Sequence, residues 1–544
     1  MEQVKPLVLV RKLRSAWPSE HLPSFVLQQD NWNDYGFMTL YNLYYVALDK
    51  NGKVVSDLIG PVRILRIGQT AKDSLQVKDD FTSLGEEFCS VGSSLDYYER
   101  LRRAYPKYFM HLLTCLRDIV RSPSVASSFR SEIGWSESLF RDGKSEDYLK
   151  LARGILVGDF TELPSDELEF SLSFSNWLSD LSFSFIPKEG VRKSQLPGRV
   201  SVLIGANGSG KSTVLARIAR LAFATIDERE GSVISSLGKI TPRGIGFPRV
   251  ITISFSPFDS FKLPGIDTKN RKKIVDEMEA GVGRYAFIGL RDVRGEARFS
   301  AKGAEVKLDL FKDPDRHGQT KLKTVEKLTD EFMGYLRSIK EPIKIRQFNK
   351  IFSDLLTGSA FEPLLINNLT ACNDSQIEHA FLLCSTGHKI AALVVAGLIA
   401  KLVPSSLVLF DEPETHLHPP LLAALMHAIR EILHNDESFC VVATHSPVVV
   451  QESMAEDVKV IRREGDITSV LGLNSETFGE SIGLITAEVF GLNSETTDYH
   501  RVLDKLLTKY SDQEELEALF LNGQMSHQAR GYTMSRRLQL KKGK

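Results

Sequence analysis

Apolar and polar positions alternate strongly over residues 36–67. Phe37-Met38-Thr39-Leu40-Tyr41-Asn42-Leu43-Tyr44-Tyr45-Val46-Ala47-Leu48 runs into Asp49-Lys50-Asn51-Gly52-Lys53. That pattern predicts a strand, an Asn-Gly hairpin turn and a returning strand. Over about 80–158 the period changes. Phe109, Leu112, Leu113, Leu116, Ile119 and Val120 share one face of a helix that starts after Pro106. Strand character returns over 168–186. Residues 1–190 are therefore expected to be an antiparallel β lobe with a helical insertion.

Val200-Ser201-Val202-Leu203-Ile204 and Val250-Ile251-Thr252-Ile253-Ser254-Phe255 read as buried strands, and bound an expected core segment over 191–260. Residues 261–383 read as a mostly helical, charged lobe. In it Val325, Leu328, Phe332, Leu336 and Ile339 fall at amphipathic helical spacing. Residues 388–403, 406–411 and 439–444 read helix, strand, strand, within a second core segment over 384–470. The remainder, 471–544, reads as helical after a strand-like Val458-Lys459-Val460-Ile461. The fold class is thus α/β.

Lys plus Arg number 68 against 69 Asp plus Glu, so no global field selects nucleic acid or membrane, and binding to either needs a local patch. Two basic runs qualify: Lys269, Arg271, Lys272, Lys273, and a tail with Arg530, Arg536, Arg537, Lys541, Lys542 and Lys544. The tail is a candidate for docking a partner. Five scattered cysteines without a CxxC pair fit a reducing compartment. The longest apolar run, Ile390 to Val403, carries Lys401 and is too short to span a bilayer. A cytoplasmic protein without a membrane partner is expected.

The candidate chemistry begins at Gly205-Ala206-Asn207-Gly208-Ser209-Gly210-Lys211-Ser212-Thr213. This fits GxxxxGK[ST] between an apolar strand and a helix. Glycines let backbone N–H groups face a phosphate, and the helix adds its positive end. Lys211 is placed to reach the β- and γ-phosphates, and Ser212 to ligate Mg²⁺ brought with ATP. Asp411 ends the strand Ser406–Phe410, where it can hold the metal, and Glu412 beside it can polarise a water. Ser385-Thr386-Gly387 opens the helix that leads to this strand and offers a second anion site. His445 follows the strand Phe439–Thr444. His416 and His418 flank Leu417 with no third metal ligand in view; a subunit-contacting loop is the better reading.

Together with Asp411-Glu412-Pro413-Glu414-Thr415-His416-Leu417-His418-Pro419 and Thr444-His445-Ser446-Pro447, these motifs resemble ABC-type ATPases of the SMC and OLD-nuclease kind. More narrowly, the chain resembles the PtuA-type ATPases of Septu and retron anti-phage systems. Trp32-Asn33-Asp34-Tyr35-Gly36-Phe37, Glu87-Phe88-Cys89-Ser90-Val91-Gly92 with Tyr97-Tyr98, Glu476-Thr477-Phe478-Gly479-Glu480 and Glu488-Val489-Phe490-Gly491-Leu492 extend the likeness. The resemblance implies a P-loop fold with a β lobe and a helical lobe between the motifs. It implies Glu412 and His445 as catalytic residues, His445 being the switch histidine. It also implies Ser385, Thr386 and Gly387 acting across a homodimer or higher oligomer. An HNH nuclease partner (PtuB-like) is implied and, for retrons, a reverse transcriptase with its DNA–RNA product.

Three departures stand out. Cys384 replaces the usual Leu before the signature serine, and His388 the usual Gln or Glu. No glutamine follows the strand at 250–255; Ser256 and Asp259 are the candidates for its role. An SMC- or OLD-like ATPase in DNA repair or chromosome maintenance is the alternative function. An OLD-type nuclease would need an acidic cluster with a DxD among the roughly one hundred residues after His445, and none is seen. An SMC protein would need coiled-coil arms, which the roughly 120 residues between Asp259 and Ser385 cannot supply.

Overall fold

The computed structural model describes residues 7–30, 36–140, 145–158, 168–185, 197–265, 271–280, 282–293, 295, 313–317, 320–356, 372–490, 498–510 and 512–542. Among these the strands form sheets of five, seven and three.

The five-stranded sheet holds β1 (Val8–Arg11), β2 (Ser24–Gln29), β3 (Leu40–Leu48), β4 (Val54–Arg66) and β5 (Phe88–Gly92), in that order. The hairpin between β3 and β4 closes on Asp49, whose carboxylate accepts from Asn51 N and Lys53 N at 2.8 Å each. The sheet departs from an all-antiparallel expectation, because β1 pairs parallel with β2. Buried Val8-Leu9-Val10 shows no alternation, so its pattern carries no direction.

Helices α1 (Leu95–Ala104), α2 (Phe109–Cys115) and α3 (Ser145–Val157) cover this sheet. α2 ends earlier than its apolar stripe suggests. Arg117 has a positive φ of 51°, and the buried Asp118 carboxylate accepts from Val120 N and Arg121 N. A side chain that satisfies backbone donors this way competes with the helix. Ile119 and Val120 stay buried, but on a turn.

Strands β6 (Glu169–Ser173), β7 (Leu181–Ser184) and β9 (Lys239–Thr241) form the three-stranded antiparallel sheet. The seven-stranded sheet has the order β11-β10-β12-β13-β8-β14-β15. Its members are β8 (Val200–Ile204), β10 (Val250–Ser254), β11 (Tyr285–Gly289), β12 (Leu407–Asp411), β13 (Phe439–Ala443), β14 (Val458–Glu464) and β15 (Ile467–Leu471). All pairs are parallel except β14–β15. Two strands lie where helix was expected. β11 is a five-residue buried run inside the helical lobe, a length at which periodicity cannot separate strand from helix. β15 returns from a turn at Gly465 along the edge of β14.

Successive residues of these strands point into two cores. One face (Val202, Ile253, Val408, Phe410, Val442) meets α6 (Val325–Ser338), α7 (Pro342–Leu356), α8 (Asp374–Leu383), α9 (Thr386–Lys401) and α10 (Pro419–Asn435). The other (Leu203, Val250, Leu407, Leu409, Val441) meets α4 (Lys211–Phe223) and the three-stranded sheet. Both faces are covered, as parallel sheets require. α9 is buried along nearly its whole length and packs against α6, α7 and α10. The fold is mixed α/β with the P-loop on its central sheet.

Packing shows where cations of the two basic runs go. Arg530 pairs with Glu517 at 2.8 Å and Arg536 with Asp504 at 3.4 Å, while Arg537 donates to the carbonyls of Tyr510 and Asp512. These contacts fix α14 (His527–Lys542) onto α13 (Asp498–Lys509) and the turn after it. Lys273 pairs with Asp57 at 2.6 Å. Lys273, Arg530, Arg536 and Arg537 thus hold the chain to itself, while the side chains of Arg271, Lys272, Lys541 and Lys542 lie outside what is described. Lys269 and Lys544 lie outside the described residues, as do Trp32 to Tyr35, Gly491 and Leu492.

The helical layer is keyed by Phe332, which stacks on Phe381 with centroids 4.7 Å apart and on Phe352 at 6.1 Å. Phe332→Ala is expected to lower stability by about 3–5 kcal/mol, read as a shifted midpoint in equilibrium chemical denaturation.

Candidate functional site

Parallel register brings the chemistry together. Ser254 pairs with Asp411, and Asp411 with Ala443. Ala443 pairs with Leu203. The carboxyl ends of β10, β12, β13 and β8 are therefore level, and the loops after them share one crevice, the usual ligand position in open α/β sheets.

The loop after β8 turns on Gly208 and Gly210, with φ of 80° and 97°. A Cβ at either would meet no atom within 4 Å, so glycine is required there by backbone conformation and not by space. α4 begins at Lys211 directly after this turn, and its free N–H groups face the loop. Lys211 is 4% exposed. Its Nζ donates to the carbonyls of Gly205 at 3.0 Å and Ala206 at 3.3 Å. Burial pulls its pKa down to about 8, against the raising effect of Glu412, Asp411 and Glu414.

Ser212 Oγ donates to Asp411 Oδ1 at 2.9 Å. This bond joins two segments 199 residues apart. Asp411 is 9% exposed, and burial pushes its pKa up to about 7. Glu412 and Asp259 push the same way; the Ser212 bond and Lys211 oppose. Glu412 follows in a left-handed conformation, φ 47°, unusual for a residue with a Cβ. Its N–H donates to Ala443 O at 2.8 Å. The carboxylate then lies 3.9 Å from His445 Nε2. Burial and Lys211 hold His445 below the ordinary histidine value, partly offset by Glu412.

Glu414 received no role from the sequence. Its carboxylate accepts from Thr444 Oγ1 at 2.7 Å and His445 N at 2.5 Å. It therefore fixes the histidine's backbone to the loop after β12. A third carboxylate two places past Glu412 was the available signal. Glu476 works similarly further out, accepting from Ala455, Thr477 and Phe478 backbone N–H groups. Gly479 N and Thr477 Oγ1 donate to Gln451 O and Ser453 O. These bonds clamp the end of α11 (Pro447–Gln451), which follows His445.

Of the two candidates after β10, Ser256 Oγ only caps Phe258 N. Asp259 is buried, accepts from Phe261 N at 3.1 Å, lies 3.5 Å from Arg291 and contributes to the field at Asp411.

Ser385, Thr386 and Gly387 lie at the start of α9. Ser385 and Thr386 are exposed, with exposed Leu382 and Leu383 before them. Gly387 lies against the loop after β12, where an added Cβ would come within 3.0 Å of His416 O. His418 caps α10, its Nδ1 accepting from Leu421 N at 3.4 Å. Among the described residues no group of three His, Cys, Asp or Glu is arranged to hold a metal ion.

The site suits a magnesium-bound phosphate chain. Ser209 Oγ is buried without a hydrogen-bond partner among the described residues, and Lys211 meets only carbonyl acceptors. A hydroxyl and a carboxylate in contact, Ser212 and Asp411, form a hard oxygen pair of the type magnesium takes alongside phosphate oxygens.

A family described as "AAA domain, putative AbiEii toxin, Type IV TA system" matches residues 345–451. The chain is 28% identical over 519 residues to Protein ea59 of Escherichia phage lambda, covering 93% of each. Among solved structures it is similar to an SMC head bound to the C-winged helix domain of ScpA (17% identity, 56% of this chain and 98% of that one, TM-score 0.28). A nucleotide-free ATP-binding cassette of an ABC transporter is also similar (13% identity, 60% and 95%, TM-score 0.26). Scores this low carry no weight in assigning the fold, which rests on strand order and loop placement. No helix among the described residues is long and apolar enough to cross a membrane.

The unfolded chain releases the Asp411 proton near pH 4, the folded chain near 7. The metal-free fold therefore loses stability as pH rises between these values. Asp411→Asn is expected to stabilise the protein in chelator by about 1–3 kcal/mol at pH 7.5 and to leave it unchanged at pH 4. Thermal denaturation at the two pH values checks this.

Proposed function

We propose that this chain binds and hydrolyses ATP with Mg²⁺ and dimerises head to tail as it does so. The Ser212–Asp411 hydrogen bond is the observation that carries the reading. It sets the phosphate loop against the carboxylate strand, with Glu412 and His445 beside both.

The backbone of Gly205 to Ser212 and the start of α4, with Thr213 in its first turn, cradle the phosphates. Lys211 neutralises the terminal pair. Ser212 and Asp411 would hold magnesium, which would supply charge neutralisation to the phosphate chain. Glu412, more exposed than Asp411, accepts a proton from the attacking water. His445 is neutral at pH 7 and can donate one N–H to a phosphate oxygen while Glu414 holds its backbone. Ser385 and Thr386 are exposed at the start of α9, open to a neighbouring molecule. A second copy of the chain places them on the terminal phosphate, with Leu382 and Leu383 at the rim of the contact.

The wider role we propose is anti-phage defence, with the ATPase controlling a separate HNH nuclease and, in a retron setting, a reverse transcriptase with its DNA–RNA product. The sequence resemblance supports it, as do a family description that names a toxin–antitoxin system and a relative encoded by a phage.

Glu412→Gln should keep ATP and block hydrolysis, so the closed dimer accumulates. Sedimentation with and without Mg·ATP tests this: a monomer in both conditions sinks the head-to-tail reading. Lys211→Ala should lose about 2–3 kcal/mol of ATP binding and, with it, protection of the host in a phage plaque assay. Calorimetry showing near-normal affinity would remove the P-loop assignment, and full protection by this variant would remove the defence role.

A further inference from the structure

The Ser385 turn carries a histidine where Gln or Glu is common, and the structure places that ring on the serine itself. Ser385 Oγ accepts from His388 N at 3.4 Å, capping α9. The same oxygen lies 3.0 Å from His388 Nδ1. His388 is partly buried, between the first turn of α9 and the loop that brings His416 O and Leu417 against Gly387. The titratable groups facing it are few. His418 approaches from the start of α10. On its own helix, Lys389 is held off by a 2.8 Å bond from Nζ to Cys384 O. Burial first, and His418 second, keep His388 below the ordinary histidine value.

A hydroxyl has one proton and two lone pairs. With Nδ1 unprotonated, Ser385 O–H donates to the ring and its proton faces inward. A phosphate oxygen arriving from outside then meets lone pairs. A proton on Nδ1 reverses this: the neutral Nδ1–H tautomer can donate, and the imidazolium, which carries protons on both nitrogens, must donate. Ser385 Oγ then accepts from both His388 N and His388 Nδ1, and its own proton must point away from them, toward solvent.

We propose that His388 is a positioning residue for Ser385: its imidazolium donates to Ser385 Oγ and turns the hydroxyl proton outward, to the terminal phosphate of a nucleotide held by a second copy of this chain. The inference rests on the head-to-tail reading above. It makes closure of the dimer a proton-uptake step. The separate chain holds His388 neutral at pH 7, and the approaching phosphate, with roughly two negative charges, favours the cation. Lower pH therefore favours the closed dimer through His388. Mg²⁺ binding at Asp411 releases a proton and works the other way, but does so equally in any His388 variant.

The test uses the Glu412→Gln protein with Mg·ATP and reads the dimer dissociation constant by sedimentation between about pH 6 and 8, and proton uptake by calorimetry in buffers of different ionisation heat. Adding His388→Gln, whose amide can donate to Ser385 at every pH, should leave a dimer but remove one proton of uptake. It should flatten the pH dependence by about fivefold or more across that range. Adding His388→Leu, which can do neither, should weaken the dimer at every pH, so that Gln rescues what Leu loses. A dimer whose pH profile and proton uptake are the same with His388 and with Gln overturns the inference while leaving the ATPase reading intact. Equal dimer strength with Gln and Leu overturns it as well. No ATP-dependent dimer of the parent at any pH removes the head-to-tail reading and this inference with it.

Discussion

A carboxylate at the buried end of an apolar strand governs this molecule. Leu407 to Phe410 are each within 1% of complete burial, and the strand delivers Asp411 into the same low-dielectric layer. Ionised there without a cation it is costly, which is why its pKa rises to about 7. Ser212 gives it one hydrogen bond, and Lys211 opposes the shift without touching it. The carboxylate is thus only partly neutralised by its own neighbours.

The neighbouring geometry follows from that placement. Glu412 adopts a left-handed backbone so that the chain can leave the sheet at once and still bond Ala443 O. The turn carries Glu414 back to Thr444 and His445, and then brings His416 and Leu417 against Gly387. One tight turn therefore connects the carboxylate pair, the histidine after β13 and the start of α9.

Charge fastens the N-terminal lobe to the same core. Asp96 meets Arg284 at 3.1 Å, Glu99 meets Arg249 at 3.4 Å and Arg100 meets Glu277 at 2.8 Å, all from α1. Arg249 also donates to Lys401 O, the far end of α9. Buried pairs of this kind add little net stability after desolvation, yet losing one partner strands the other. They hold α1 in a set position against the sheet and reach the helix that begins with Ser385.

The sequence by itself determined the motifs and their order. A glycine loop between strand and helix, a strand ending in Asp411-Glu412, a Ser-Thr-Gly helix start and a histidine after a strand are each local patterns, set by backbone conformation and side-chain type. The long hairpin at Asp49 to Lys53 and the helix at 325–338 were legible for the same reason. Short buried segments were not. β11, the parallel course of β1 and the edge strand β15 depend on which neighbours they pair with, and a five-residue apolar run does not carry that information. The early end of α2 was set by Asp118 folding back on its own backbone. Likewise, the charges of the basic runs read as open surface until packing showed Arg530, Arg536 and Lys273 each beside an acid. Only the tertiary structure decided that Ser212 touches Asp411, that Glu414 holds His445 and that His388 lies on Ser385, because side chains as much as about 200 residues apart meet through sheet register and helix packing, not through spacing along the chain.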